Sequence, residues 1–258
     1  MQPREIESFR TLPFSRPGRR GIMTGGGLKY MNHLNRTKNN DSSALIVLSH
    51  VEGLRFIDTG KLEYDTVICA DAGWKMAQKL GLTPDICIGD YDSSEQPAES
   101  LPEDLIRLPA EKDMTDSEAA LDLAVARGFR RITIIGGLGG RFDHTMGNLG
   151  LLAKYTGKVE RICLQDGWNR IFLADPGTHI VRKDGYYYLG TASYGEQVTG
   201  LTYRGMKYPL ENAVLTNRTT YGGSNEILGE EAEISFRTGR LLISQCNDVP
   251  AAIVEAAD

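Results

Sequence analysis

From Ser43 onward the chain alternates short, continuously apolar runs with stretches of helical period. "ALIVLSH" (44–50) and "TVICA" (66–70) are apolar at successive positions, the pattern of strands buried on both faces. "DAGWKMAQKLG" then predicts a helix stopped by Gly81. "PDICIGD" and "LIRLP" read as a third and a fourth strand. "TDSEAALDLAVARG" predicts a strong helix, with Thr115 and Glu118 spaced as a capping box and Gly128 at its end. "RITIIGG" is a fifth strand and "DHTMGNLGLLAKYTG" a further helix. Strands interleaved with helices predict a mostly parallel sheet covered on both faces.

Beyond about residue 160 the texture changes. Short runs rich in Val, Ile, Thr, Tyr and Phe are separated by Gly, Asn and Asp-Pro-Gly turn signals, with little helical period. That pattern predicts an antiparallel sandwich or barrel. Residues 1–42 fit neither pattern: Arg, Pro and a triple glycine accumulate there without a sustained period, and Met31 is a second candidate start. The predicted organisation is a flexible extension (1–42), an N-terminal mostly parallel α/β domain (43–160) and a C-terminal antiparallel β-sandwich domain (161–250). The fold class is thus α/β plus all-β.

Composition narrows the function. The 258 residues are 41% hydrophobic and 24% charged, with a net charge of −5. The negative balance argues against a general nucleic-acid binder. No apolar run approaches the roughly 20 residues needed to span a bilayer, and the N-terminus lacks the basic-then-apolar order of a secretory signal. A soluble cytoplasmic protein is the expectation. Cys69, Cys87, Cys163 and Cys246 form no CxxC pair and are read as reduced core thiols, not metal ligands.

The strand ends carry the chemistry. In open α/β sheets ligands bind outside the carboxyl ends of the strands. Asp71 follows "TVICA", Asp90 and Asp92 follow "DICIG", and Asp113 and Asp116 precede the capped helix. A single such Asp is commonly a turn former or a cap. Several from three successive strand ends repel unless a cation lies among them, and clustered carboxylates suit a hard ion such as Mg²⁺. Lys112 stands beside them.

"GGLGGRFDHTMGN" (136–148) follows a strand and opens a helix. It has neither the P-loop ending nor the dinucleotide spacing. Gly136, Gly137, Gly139 and Gly140 would still let backbone N–H groups approach phosphate oxygens near a helix N-terminus. Arg141 adds a planar fork suited to phosphate. Asp143 follows it, and His144 shares a helix face with Asn148. His144 reads as a hydrogen-bonded structural residue. Together these features suggest Mg-dependent chemistry on a nucleoside triphosphate, with the transferred group and its acceptor left open.

"ADAG" (70–73), "PDICIGDYDS" (84–93), "EKDMTDSEAAL" (111–121) and "GGLGGRFDHTMGNL" (136–149) resemble, in order and spacing, the thiamine pyrophosphokinase family. "GMKYPLEN" (205–212) and "GGSNEI" (222–227) are similar to its C-terminal signatures, so the likeness covers about residues 43–246. The resemblance implies transfer of a pyrophosphoryl group from ATP to the hydroxyethyl oxygen of thiamine, with Mg²⁺, by a homodimer whose active sites lie at the subunit interface. It implies that Asp71, Asp90, Asp92 and Asp116 bind metal and polyphosphate, with Asp71, Asp92 and Asp116 as the catalytic acids. Lys112, Gly139, Gly140, Arg141, Asp143 and His144 fall on the nucleotide side. Ser224 and Asn225 match the pair that reaches thiamine, with Tyr208 where other members carry Trp. "ADAG" stands where "ADGG" is common, and the added methyl of Ala72 is expected to matter little. Asp92 and Asp116 both remain candidates for the proton acceptor.

Three other readings compete. A pyrophosphokinase acting on a hydroxymethyl pterin would share the donor chemistry, a nucleotide or thiamine diphosphate sensor would need no in-line geometry, and a Mg-dependent phosphohydrolase would use water.

Overall fold

A computed structural model describes residues 42–90, 104–109 and 113–248. The N-terminal extension, Asp92 and Lys112 lie outside the described residues.

Five apolar runs become the core of one sheet. β1 (Ser43–Val47) pairs in parallel with β2 (Thr66–Ala70) on one side and β5 (Arg131–Ile135) on the other. β3 (Ile86–Gly89) and β4 (Asp104–Arg107) extend the β2 side, and β6 (Arg161–Gln165) extends the β5 side. α1 (Gly73–Lys79) packs Trp74 and Ala77 with Leu45, Val47, Val67 and Cys69 on one face. α2 (Asp116–Ala126) and α3 (Phe142–Tyr155) pack Leu121, Leu151 and Leu152 with Ile46, Ile68 and Ile134 on the other. Alternate strand residues therefore meet helices on opposite faces, which is why these runs had to be apolar throughout.

The caps match the sequence signals with one change. Gly81 N–H donates to Gln78 O (3.0 Å) and Leu82 N–H to Ala77 O (2.9 Å), and Gly128 and Phe129 repeat that closure on Val125 and Ala124. Thr115 Oγ1 accepts from Glu118 N at 3.2 Å, but the reciprocal half of the expected box is given up. The Glu118 carboxylate instead accepts from Lys154 Nζ on α3 at 2.8 Å. Asp122 joins this bridge, 3.4 Å from Lys154 Nζ and accepting from the Tyr155 hydroxyl. The network holds α2 against α3. Tyr155→Phe is expected to cost about 1–2 kcal/mol, the value of one partly buried charge-assisted bond, read by urea denaturation.

The second half departs from a free-standing sandwich. After β6 the chain reverses at a hairpin held by Asp166, whose Oδ1 accepts from Trp168 N and Asn169 N, both at 2.7 Å. β7 (Asn169–Ala174) then runs antiparallel to β6, and β13 (Leu241–Cys246) and β9 (Tyr188–Ser193) continue outward. The result is a nine-stranded sheet, β4-β3-β2-β1-β5-β6-β7-β13-β9. A second sheet, in the order β11 (Leu210–Thr216), β10 (Gln197–Arg204), β12 (Glu231–Phe236), β8 (Gly177–Arg182), is wholly antiparallel. Leu189, Leu201, Tyr203, Ile234, Leu241 and Ile243 form one core with strands of both sheets. One layer of the sandwich is therefore the antiparallel end of the α/β sheet.

Cys69, Cys87 and Cys163 are buried and Cys246 half-buried, all as free thiols. The neighbouring Cys87 thiol and burial together push the Cys69 thiol far above its ordinary value. Among the described residues no helix is long and apolar enough to cross a membrane.

Candidate active site

All six parallel strands, β1 to β6, point their carboxyl ends the same way, and the order turns at β1 and β5, the two strands from which the chain departs in opposite directions. Such a switch point leaves a crevice between diverging connections. Here the crevice is a cleft of about 250 Å³, lined by Ser49 and His50 after β1, Ser117 on α2, and Gly139, Arg141, His144 and Asn148 around the start of α3.

The glycine loop is built by close approach. Gly136 and Gly137 have positive φ, and a Cβ at either would lie 2.3 Å from His50 O or 2.5 Å from Asn148 Nδ2. Gly136 N donates to Gln165 O (2.8 Å) and Gly137 N to His50 O (3.0 Å), which ties β6 and the β1 end to the loop. Asn148, 7% exposed, donates to Gly137 O at 2.9 Å. Asn148 thus does the structural work expected of His144. The His144 backbone N–H donates to Asp143 Oδ1 (3.0 Å) while its ring is exposed in the cleft wall.

Arg141 is the N-cap residue of α3. Its fork is already engaged: Nε donates to Asp143 Oδ1 at 3.1 Å and Nη2 to Oδ2 at 2.5 Å. The bonds raise the arginine and lower the Asp143 carboxyl from their ordinary values. The pair is exposed and locally neutral, so the loop's cation comes with its own counter-charge.

Asp71 and Asp90 follow neighbouring strands whose register sets Ala70 opposite Ile88. Asp71 adopts φ +50°, uncommon for a residue with a Cβ, and its N–H donates to Ile88 O at 2.8 Å. Asp116 opens α2, one residue before Ser117. None of these three lines the cleft itself. Among the described residues no three His, Cys, Asp or Glu side chains converge into a metal-holding group. The donor chemistry of Asp71 and Asp90, carboxylate oxygens at adjacent strand ends, still fits a hard divalent cation.

Gly140 and Asp143 adjoin the lining residues without lining the cleft, and the thiamine-side candidates sit in the sandwich, away from that lining. Tyr208 is 57% exposed. Ser224 is exposed with φ +54°. Asn225, expected to reach a ligand, is 3% exposed and turned inward. Its Oδ1 accepts from Tyr208 N and Glu226 N, both at 2.9 Å, and its Nδ2 donates to Tyr208 O at 2.8 Å. Its side chain clamps the backbone that presents Tyr208. Asn225→Ala strands those buried groups and is expected to cost about 2–3 kcal/mol by chemical denaturation.

Two family models match the chain: "Thiamin pyrophosphokinase, catalytic domain" over residues 61–164 and "Thiamin pyrophosphokinase, vitamin B1 binding domain" over 178–241. A thiamine pyrophosphokinase of Bacillus subtilis is 34% identical over 191 residues, 72% of this chain and 89% of that protein. The chain belongs to the thiamin pyrophosphokinase family. Solved structures agree. A thiamine pyrophosphokinase from Bacillus subtilis superposes with TM-score 0.73 at 30% identity, covering 81% of this chain and all of that one. A thiamin pyrophosphokinase family protein from Enterococcus faecalis gives 0.70 at 32%, with the same coverage of this chain and 100% of its own.

Within this chain the catalytic-domain match holds Asp71, Asp90, Asp116, Arg141, Asp143 and His144, and the other match holds Tyr208, Ser224 and Asn225. Ser49, His50 and Ser117 were not anticipated from the sequence. The same rule that singled out Asp71 and Asp90 would have found His50, since it too follows a parallel strand at its carboxyl end.

Proposed function

We propose that this chain transfers the pyrophosphoryl group of ATP to the hydroxyethyl oxygen of thiamine, giving thiamine diphosphate and AMP. The observation that carries the reading is the glycine-walled cleft at the sheet's switch point, in a chain that matches both halves of the family. The thiamine hydroxyl oxygen bonds to the β-phosphorus, the bond from that phosphorus to the oxygen of AMP breaks, and the hydroxyl proton passes to a carboxylate, Asp92 or Asp116. Positioning and charge neutralisation do most of such catalysis. The N–H groups of Gly139 and Gly140 and the start of α3 seat the phosphates, with Arg141, Asp143, His144 and Lys112 around them. Asp71, Asp90, Asp92 and Asp116 would hold Mg²⁺, which when bound offsets the negative charge of the polyphosphate.

In this reading residues 43–160 bind ATP and the metal, and residues 161–250 bind thiamine and dimerise. Tyr208 and Ser224 face thiamine, and Asn225 holds Tyr208 in place. A homodimer would bring one subunit's Tyr208 to its partner's nucleotide cleft. Exposed apolar side chains beside each half support that arrangement: Phe142 (74%) and Met146 (50%), one turn apart on α3, and Tyr208 and Leu228 (69%) in the sandwich. The four free thiols support a reducing, cytoplasmic setting.

The test follows AMP and thiamine diphosphate together in a mixture of protein, ATP, Mg²⁺ and thiamine, with thiamine omitted in a control. Equal amounts of both products, only when thiamine is present, are expected. AMP or phosphate release indifferent to thiamine would overturn the acceptor assignment in favour of a pterin or water.

A further inference from the structure

His50 lines the cleft and pairs with Glu52 beside it, both ahead of the residues matched to the catalytic-domain family model. His50 Nε2 lies 2.9 Å from Glu52 Oε1. Both side chains are about half exposed, 54% and 46%. They lie directly on the phosphate-type loop: a Cβ at Gly140 would be 3.0 Å from His50 Nε2, and one at Gly139 would be 2.6 Å from Glu52 Cγ. The imidazole is therefore within van der Waals reach of the loop backbone at Gly140, next to Gly139 in the cleft wall.

The segment that carries them is fixed from three sides. Gly137 N donates to His50 O (3.0 Å), and Gly167 N, in the Asp166 hairpin, donates to Glu52 O (2.9 Å). Gly53 follows with φ +58° and abuts the Trp168 ring, which would lie 2.7 Å from a Cβ there. Side chains held by a supported backbone suit a binding site, because little freedom is lost when a ligand arrives.

Charge supplies the functional argument. Arg141, the obvious cation of the loop, is paired bidentately with Asp143. A triphosphate seated on Gly139 and Gly140 needs a further donor. Glu52 occupies Nε2–H, so in the imidazolium form, the cation that a phosphate chain recognises, Nδ1–H is the donor left for the cleft. We infer that His50 is a polyphosphate-binding residue of the donor site, its imidazolium donating Nδ1–H to an ATP phosphate oxygen, and that Glu52 is the positioning residue that sets its ring. This inference rests on the ATP-dependent reading above, and it concerns the phosphate chain alone, not the adenosine.

The test uses the full chain and its His50→Ala, His50→Gln and Glu52→Gln variants. Binding of magnesium tripolyphosphate and of adenosine is measured by calorimetry, alongside the KM values for ATP and thiamine. His50→Ala is expected to weaken tripolyphosphate and raise the ATP KM by about tenfold, the loss of one charge-assisted hydrogen bond. Adenosine affinity and the thiamine KM are expected to stay within about twofold. Glu52→Gln should shift the same two constants in the same direction but less, since an amide still bonds the ring. His50→Gln replaces the alanine variant should that one fail to fold. Unchanged tripolyphosphate binding overturns the inference, as does a loss shared equally by adenosine and thiamine, which would mark a structural role. Tripolyphosphate calorimetry needs no turnover, so a wild-type protein that makes no thiamine diphosphate strikes the proposed function and leaves this contact to be decided separately.

Discussion

Asp90→Asn is expected to lower thiamine diphosphate formation by at least about 10²-fold, the scale of losing one strong electrostatic group at a reacting centre, while the protein stays folded. Asn keeps the shape of the side chain at the end of β3 while removing its charge and one acceptor oxygen. Asp90 directly follows Gly89, whose strand is buried from Ile86 to Gly89, so the sheet sets the backbone at this point. Initial rates with ATP, Mg²⁺ and thiamine give the turnover, and a melting curve within a few degrees of wild type shows that the loss is chemical. Raising Mg²⁺ should recover part of the rate if the carboxylate contributes metal affinity. Near-normal turnover would remove Asp90 from the metal and polyphosphate assignment and leave Asp71 and Asp116 to be tested alone.

The α/β half was legible because its information is local. A five-residue apolar run such as "TVICA", β-branched and too short for a helix, reads as a strand with both faces covered, and Gly81 and Gly128 mark helix ends through bonds to residues in the preceding turn. The shared sheet was not legible, because it depends on pairing over long separations. Asn169 lies opposite Cys246, and no periodicity near either residue announces the other. The site divides in the same way. The loop glycines and the acids at strand ends follow from position along a strand. The engagement of Arg141 by Asp143 and the burial of Asn225 depend on rotamers and on neighbouring loops, which spacing does not encode. His144 and Asn148 share a helix face, but only the path of the glycine loop decides that Asn148 bonds it and His144 faces the cleft.

Gly73→Ala is expected to destabilise the fold by at least about 3 kcal/mol, the upper range for overpacking a closed core. For a domain of this size that lowers the melting temperature by about 6–12 °C. A Cβ at Gly73 would lie 2.0 Å from Val47 O and 2.8 Å from its carbonyl carbon. Both are backbone atoms of β1, a strand paired on both edges and wholly buried, so no side chain can swing aside. Relief requires α1 to lift from the sheet, which opens the contacts of Trp74 and Ala77 with Leu45 and Val47. It also requires movement where β1 hands over to Leu48, Ser49 and His50, so activity should fall with stability and not independently of it. Ala72 provides the contrast. It is the N-cap residue of α1, at φ −72° and half-buried, and Ala72→Gly is expected to cost less than about 1 kcal/mol. Thermal and urea melts of the two variants side by side decide the matter. Equal, small losses would mean that β1 and α1 are free to separate, and the closely packed β1–α1 contact would then be no support for the cleft.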